Sequence, residues 1–70
     1  MSIRKQFGAK LRRVRRSQDL TQAALAARSG LHINYISGIE RGTRNPSLIA
    51  VGQLATALGL KLHELVNFEE

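Results

Sequence analysis

Gly30 divides the middle of this chain into two short segments, each with the residue pattern of a helix. Before it, Thr21 can cap a helix, and the residues from Gln22 to Ser29 are mostly good helix formers. After it, Ile36 and Ile39 are spaced to form the buried stripe of a second helix. Glycine tolerates the positive φ that a sharp turn demands. The segment is therefore predicted to be two short helices joined by a tight turn.

The second of these helices should have a polar outer face and should end at Gly42. The residues expected opposite its buried stripe are Asn34, Ser37, Gly38 and Arg41. Periodicity alone would favour a face that contacts only water, because most polar helix faces are simply solvated. The distribution of charge along the chain indicates whether this polar face is merely solvated or binds a partner.

Charge is concentrated in the first part of the chain. The 70 residues carry a net charge of +6 at neutral pH. Residues 1–44 hold ten Lys and Arg against two acidic residues, whereas residues 45–70 hold one Lys against three Glu. The two parts therefore carry +8 and −2. A basic face beside an acidic end suits a protein that presents one side to a polyanion.

Helical patterns before and after the central segment complete an all-α domain of five helices. The first helix should run from about Ile3 to Ser17. Its inward residues are expected to be Ile3, Phe7, Leu11 and Val14, and its largely outward cations Arg4, Lys5, Lys10, Arg12, Arg13 and Arg16.

The fourth helix should follow the loop at residues 42–47, with Asn45 as its cap and Pro46 in its first helical position. It should continue to Leu58 and be ended by Gly59. Its inner stripe is predicted to be Leu48, Val51, Leu54, Ala55 and Leu58. A last short helix is expected over roughly Lys61 to Val66.

Composition argues against several other classes of protein. Cysteine is absent, so disulfides and thiolate metal sites are excluded. No apolar run predicts a signal peptide or a membrane span, and a cytoplasmic location is expected. His32 and His63 have neither the spacing nor the neighbouring ligand residues of a metal site, and no phosphate-binding glycine loop is present. We therefore expect no enzymatic activity, cofactor, metal or small-molecule ligand.

Several motif elements occur together along the chain. They are Thr21-Gln22, Leu25-Ala26, Gly30, Ile36-Ser37 with Glu40, Asn45-Pro46-Ser47 and Leu58-Gly59. In this combination the chain resembles the lambda-repressor-like (Xre/Cro-type) helix-turn-helix family of bacterial and phage regulators, over nearly its whole length. The string from Tyr35 to Arg41 is most similar to the small controller proteins of restriction–modification systems. The resemblance implies one compact domain over residues 1–70, with helices two and three as the helix-turn-helix.

The resemblance also implies which residues contact DNA. The start of helix three usually enters the major groove, and the residues implied to contact bases are His32, Ile33, Asn34, Tyr35 and Ser37. Asn34 can pair with adenine, and Ile33 can meet a thymine methyl. Tyr35 lies at the edge of the core, so burial of its ring is an equal alternative. His32 is a poorer cap than the Ser or Thr common in the family. Gly38 either allows closer approach to the duplex or is simply a tolerated small residue.

Other positions are implied to hold DNA phosphates or to support the domain. The phosphate contacts would come from Gln22, Arg12, Arg41, Thr43, Arg44 and Asn45, for which ordinary surface polarity is the alternative. Resemblance also pairs Arg15 with Glu40 as a buried ion pair. Leu62, Val66 and Phe68 have little remaining chain to cover them, so residues of the segment 59–70 are expected in a dimer interface. Packing back onto the same domain is the alternative.

The function these features predict is sequence-specific transcriptional regulation by a homodimer on a palindromic DNA operator. Autoregulatory control of a restriction–modification operon is the narrower expectation, with RNA polymerase as a candidate second partner. An antitoxin that binds a protein toxin and a phage Cro-like repressor are alternatives. A basic element that coats nucleic acid or membranes without sequence preference is a further one.

Overall fold

The computed structural model describes residues 2–68, which form five helices and no strand. The helices are α1 (Ile3–Ser17), α2 (Gln22–Ser29), α3 (Ile33–Arg41), α4 (Leu48–Ala57) and α5 (Leu62–Leu65). The predicted all-α, five-helix fold is confirmed. Of the C-terminal segment 59–70 assigned to dimerisation, residues 69 and 70 lie outside the described residues. None of the helices in the described residues has the length and apolar character needed to cross a membrane.

Hydroxyl side chains cap the start of three of the helices. Ser2 Oγ accepts the Lys5 N–H at 3.3 Å, and Thr21 Oγ1 accepts the Ala24 N–H at 3.0 Å. Ser47 caps α4 in the same way, by accepting the Ala50 N–H at 3.0 Å. Each bond satisfies a backbone donor that has no partner inside the helix.

The prediction for the start of α4 was wrong. Ser47, not Asn45, is the cap, and the helix begins at Leu48, so Pro46 precedes it. The backbone N–H of Ser47 donates to the Tyr35 hydroxyl at 3.1 Å. Ser47 itself has an extended backbone, and this bond ties it to α3 just before the first turn of α4.

Two glycines in the left-handed region end the central helices. Gly30 has φ 77° and its N–H donates to the Ala26 carbonyl, while Gly42 has φ 78° and its N–H donates to the Ile39 carbonyl. A side chain at either position would be strained, because residues with a Cβ rarely adopt this conformation. The tight turn between α2 and α3 therefore forms as predicted.

The core lies between all five helices. Its buried residues are Phe7, Leu11, Leu25, Ile36, Ile39, Val51, Leu54, Ala55, Leu58 and Leu65. Three predictions were wrong. Ile3 is 70% exposed and Leu48 is 76% exposed, since both lie in the first turn of a helix, beyond the elements packed on it. Lys10 is buried, at a place where the C-terminal segment returns to α1: Lys10 lines one shallow pocket with Asn67 and another with Phe68.

Helix α1 crosses α3 at very short range because Gly8 has no side chain. A Cβ at Gly8 would lie 2.3 Å from the Ile39 carbonyl oxygen and 2.8 Å from that of Glu40. Real Cβ atoms do not approach backbone oxygens this closely, so any larger residue would push the two helices apart. The crossing places the C-terminal half of α3 against α1.

Candidate nucleic-acid interface

The first turn of α3 presents its side chains to solvent. His32 caps this helix, and its Nδ1 accepts the Asn34 N–H at 3.0 Å. The imidazole, expected to be a poor cap, therefore makes a well-formed capping bond. Ile33 is 38% exposed, and Asn34 is also exposed. An exposed isoleucine beside an exposed amide, on a helix held at its start, is suited to reading base edges in a groove.

Tyr35 is partly buried, as one of the two alternatives for this residue expected. Its ring is half-buried and packs against the core, while its hydroxyl oxygen accepts the Ser47 N–H at 3.1 Å. The hydroxyl hydrogen remains available to donate. Tyr35 therefore connects α3 to the start of α4 and holds the loop between them.

Further along α3, Arg41 and Ser37 are paired across one turn. The Arg41 guanidinium donates to Ser37 Oγ. Gly38, predicted on this polar face, is instead buried. The reason is that the aliphatic stem of Arg44 lies directly over it. The sequence pattern of one helix could not show that the following loop folds back onto it.

The loop after α3 places Thr43, Arg44 and Asn45 at the surface. Both donors of Thr43 are used internally, since its N–H and its hydroxyl donate to the Gly38 carbonyl at 3.0 and 3.2 Å. The Arg44 N–H donates to the same oxygen at 3.3 Å. The backbone N–H groups of Thr43 and Arg44 are thus engaged inside the domain. The side chains of Arg44 and Asn45 are the groups that the loop presents.

Arg15 and Glu40 form a bidentate ion pair beneath this surface. Arg15 Nε lies 2.6 Å from Glu40 Oε2, and Nη2 lies 2.9 Å from Oε1. Their side chains are only 9% and 4% exposed. Arg15 Nη1 also donates to the Leu20 carbonyl at 2.7 Å, which ties the loop after α1 to the pair.

The ion pair has a clear effect on both titrations. Burial alone would raise the pKa of Glu40, but hydrogen bonds from Arg15 and Gln22, with the charges of Arg15 and Arg12, outweigh it. The pKa of Glu40 therefore lies below its ordinary value. The hydrogen bond to Glu40 raises the pKa of Arg15, against an opposing effect of burial.

Gln22 is part of the same cluster. Its Nε2 donates to Glu40 Oε1 at 3.1 Å, so a half-buried amide at the start of α2 is oriented by the buried carboxylate. This places the residue implied to hold a phosphate directly beside the ion pair.

A cationic groove runs between α1 and α3. It is lined by Lys5, Ala9, Arg12, Arg13, Arg16, Glu40 and Arg41. The structure thus brings Arg12 and Arg41 together from different helices. Sequence reasoning placed Lys5 and Arg16 only on a general outer face. Their spacing from Arg12 along α1 is the signal that could have grouped them, because all three project from one side of the helix.

The residues predicted for a dimer interface lie at the opposite end of the chain. Leu62 and Val66 are 42% and 43% exposed, while Phe68 is half-buried against the core. Leu65 is fully buried in its own domain. Val66 and Phe68 line an apolar groove with Ile3, Arg4, Phe7, Asn45, Pro46 and Val51.

Comparison with known proteins bears on this geometry. The family described as Helix-turn-helix matches residues 11–65. An uncharacterized HTH-type transcriptional regulator of Sinorhizobium fredii, y4dJ, is 47% identical over 96% of this chain and 87% of its own length. Control protein C.BamHI of Bacillus amyloliquefaciens is 44% identical over 96% of this chain and 84% of its own. The crystal structure of the restriction-modification controller protein C.AhdI from Aeromonas hydrophila superposes with a TM-score of 0.87. It is 45% identical and covers 89% of this chain and 94% of that one.

Two helices joined at a left-handed glycine, with exposed residues opening the second, define a DNA-binding domain of the transcriptional-regulator class. The chain belongs to the helix-turn-helix family. The resemblance drawn from its motifs is therefore confirmed, including the similarity to restriction–modification controller proteins.

Proposed function

We propose that this protein regulates transcription as a homodimer bound to a palindromic DNA operator. The observation that carries the proposal is the exposed start of α3, where Ile33 and Asn34 lie side by side on a capped helix. This surface has the shape and chemistry for the major groove, where an amide can pair with adenine and an aliphatic group can contact a thymine methyl.

The remaining contacts divide by chemistry. His32, Tyr35 and Ser37 flank the two central residues and are proposed to contact base edges with them. The proposed phosphate contacts are Gln22, Arg12, Arg41, Thr43, Arg44 and Asn45. The groove between α1 and α3 supports this division, because it concentrates cations beside the proposed reading face. Thr43 would have to exchange an internal hydrogen bond for one to DNA.

The dimer is proposed to form through the C-terminal segment, residues 59–70. Leu62, Val66 and Phe68 are its proposed contacts, and the exposure of Leu62 and Val66 supports them. A two-fold axis there would present two copies of α3 to the same face of the duplex. Their separation should be about 34–36 Å, which is one turn of B-form DNA.

The narrower proposal is control of a restriction–modification operon, including the protein's own gene. Its support is the likeness to C.BamHI, named a control protein, and to C.AhdI, named a restriction-modification controller protein. Regulation would then depend on protein concentration through dimerisation. A cytoplasmic location, on the nucleoid when bound, and RNA polymerase as a second partner belong to the same proposal.

The test compares variants on an operator and on random duplex of equal length. The operator is found first by footprinting the region upstream of the gene. Asn34→Ala should cost about 1–3 kcal/mol per half-site on the operator and little on random DNA. Arg44→Ala should weaken binding to both duplexes alike and lower the salt slope by about one unit per subunit. Arg28→Ala is the matched control, since this exposed cation lies beside α4.

An equal loss on operator and random DNA for Asn34→Ala would show that this residue does not read sequence. If Ile33→Ala behaved in the same way, a basic protein that coats DNA without sequence preference would be the better description. A protein that stays monomeric in sedimentation at tens of micromolar, with and without operator, would contradict the dimer.

A further inference from the structure

Two glycines in the middle of helices have very different surroundings. Glycine in a helix interior is unfavourable relative to alanine, so its presence calls for a reason. An added Cβ at Gly52 in α4 would meet no atom within 4 Å. An added Cβ at Gly38 in α3 would lie 2.4 Å from Arg44 Cγ. Of these two glycines, only Gly38 therefore has an evident steric reason to lack a side chain, as Gly8 has in α1.

The contact at Gly38 extends along the stem of Arg44. The same added Cβ would lie 3.4 Å from Arg44 Cβ and 3.5 Å from Arg44 Cδ. The arginine stem thus lies flat across α3 in the space that a side chain at position 38 would fill. Its guanidinium remains on an exposed residue at the edge of the proposed DNA-binding face.

The backbone of Gly38 holds the same loop from the other side. Its carbonyl oxygen accepts the N–H groups of Thr43 and Arg44 at 3.0 and 3.3 Å, together with the Thr43 hydroxyl at 3.2 Å. These bonds fix the loop backbone close to α3. A Cβ at position 38 could then be accommodated only by moving the Arg44 side chain to another rotamer.

We propose that Gly38 is a positioning residue for DNA binding, because its missing side chain seats the stem of Arg44 and aims the guanidinium at a phosphate. An arginine held in this way loses less conformational freedom on binding than one that is free to rotate. The inference rests on the proposed function, in which Arg44 contacts the DNA backbone. It adds a role for Gly38 that requires no contact between that residue and DNA.

The experiment uses the full chain and four variants: Gly38→Ala, Arg44→Ala, the double variant Gly38→Ala/Arg44→Ala, and Gly52→Ala as the control. Affinity for a random-sequence duplex is measured by fluorescence anisotropy over a series of NaCl concentrations. Gly38→Ala should weaken binding by at least about twofold and lower the salt slope. Gly52→Ala should bind like the parent. The double variant should bind like Arg44→Ala alone, because the stem that Gly38 accommodates is gone.

Thermal melts of the same proteins keep the test valid if Gly38→Ala folds poorly. Truncation of Arg44 removes the Cγ that an alanine at position 38 would strike, so the double variant should melt higher than Gly38→Ala alone. No recovery in the double variant would overturn the proposed packing.

Two binding results would overturn the inference. The first is a folded Gly38→Ala protein that binds DNA like the parent. The second is a loss of affinity on adding Gly38→Ala to the Arg44→Ala protein that equals the loss on adding it to the parent. If Arg44→Ala itself leaves affinity and salt slope unchanged, the proposed phosphate contact of Arg44 is wrong and the inference is overturned with it. That result appears in Arg44→Ala by itself, so it is distinguishable from a failure of the positioning role proposed for Gly38.

Discussion

Replacing Glu40 by alanine should remove a large part of the stability of this domain. The carboxylate makes two short contacts with the Arg15 guanidinium, at 2.6 and 2.9 Å, and both side chains are more than nine-tenths buried. In Glu40→Ala the guanidinium would stay buried, with the Leu20 carbonyl as its remaining partner among these contacts. Breaking a buried pair from one side costs about 3–5 kcal/mol, mainly through the charge left without a partner.

That loss is large for a chain of this size. At typical values per residue, a 70-residue domain is stable by only about 3.5–10 kcal/mol. A loss of 1 kcal/mol lowers the melting temperature of such a domain by about 4–8 °C. Glu40→Ala should therefore melt at least about 12 °C below the parent. Urea unfolding should show a lower midpoint with an unchanged slope.

The matched comparison is between neighbouring arginines on α1. Arg15→Ala leaves Glu40 buried without its main partner and should cost a similar amount. Arg16→Ala removes the same side chain from an exposed position and should stay within about 0.5 kcal/mol of the parent. A melt of Glu40→Ala within about 2 °C of the parent would refute the claim that the buried pair stabilises the fold.

Four further perturbations test other contacts. Because the pKa of Glu40 is lowered in the folded state, the ionised carboxylate stabilises the fold fully above its unfolded-state pKa of about 4.3, and this stabilisation is lost as pH falls through the folded-state pKa. Melting temperatures measured from pH 7 to 2 should therefore fall in acid, and they should fall less steeply in Glu40→Gln. His32→Ala should lose about 1 kcal/mol in urea titrations, whereas His32→Ser should keep its cap and lose little. Gly8→Ala should lower the stability of the domain by about 1–3 kcal/mol or more, whereas Gly52→Ala should raise it by about 0.5–1 kcal/mol. Equal melting temperatures for the two variants would contradict the close crossing of α1 and α3. Tyr35→Phe removes the hydroxyl that accepts the Ser47 N–H and should lower the free energy of unfolding by about 0.5–1.5 kcal/mol. An unchanged urea midpoint would show that this bond does not stabilise the fold.

The parts of the fold that sequence could predict depend on local contacts. Thr21 caps α2 through a bond to Ala24, and Gly30 ends it in the left-handed region, both within one turn of the helix. Such signals depend little on the rest of the molecule. The buried stripe of Ile36 and Ile39 follows from spacing alone.

The start of α4 shows where local signals stop being sufficient. Asn45 and Ser47 are both good capping residues, and Pro46 suits the first position of a helix. The choice of Ser47 coincides with a contact to the Tyr35 hydroxyl, which comes from another helix. No pattern within the loop contains that information.

The site was predictable in the same uneven way. The exposure of Asn34 at the start of α3 follows from the helical pattern, and the structure agrees. The burial of Gly38 does not, because it depends on Arg44 returning over the helix from the following loop. A helical wheel treats each helix as if nothing packed on its polar side. At Gly38 that assumption failed.

Glu40 connects the core of the domain to its proposed DNA-binding surface. The same carboxylate accepts two bonds from Arg15 and one from the Gln22 amide at the start of α2. A change at Glu40 therefore alters both the stability of the fold and the orientation of a proposed phosphate contact. Loss of DNA binding in a Glu40 variant cannot be assigned to either cause from affinity alone, because unfolding lowers the concentration of competent protein as well. Gln22→Ala separates them, since it removes the surface amide and leaves both bonds between Arg15 and Glu40 in place.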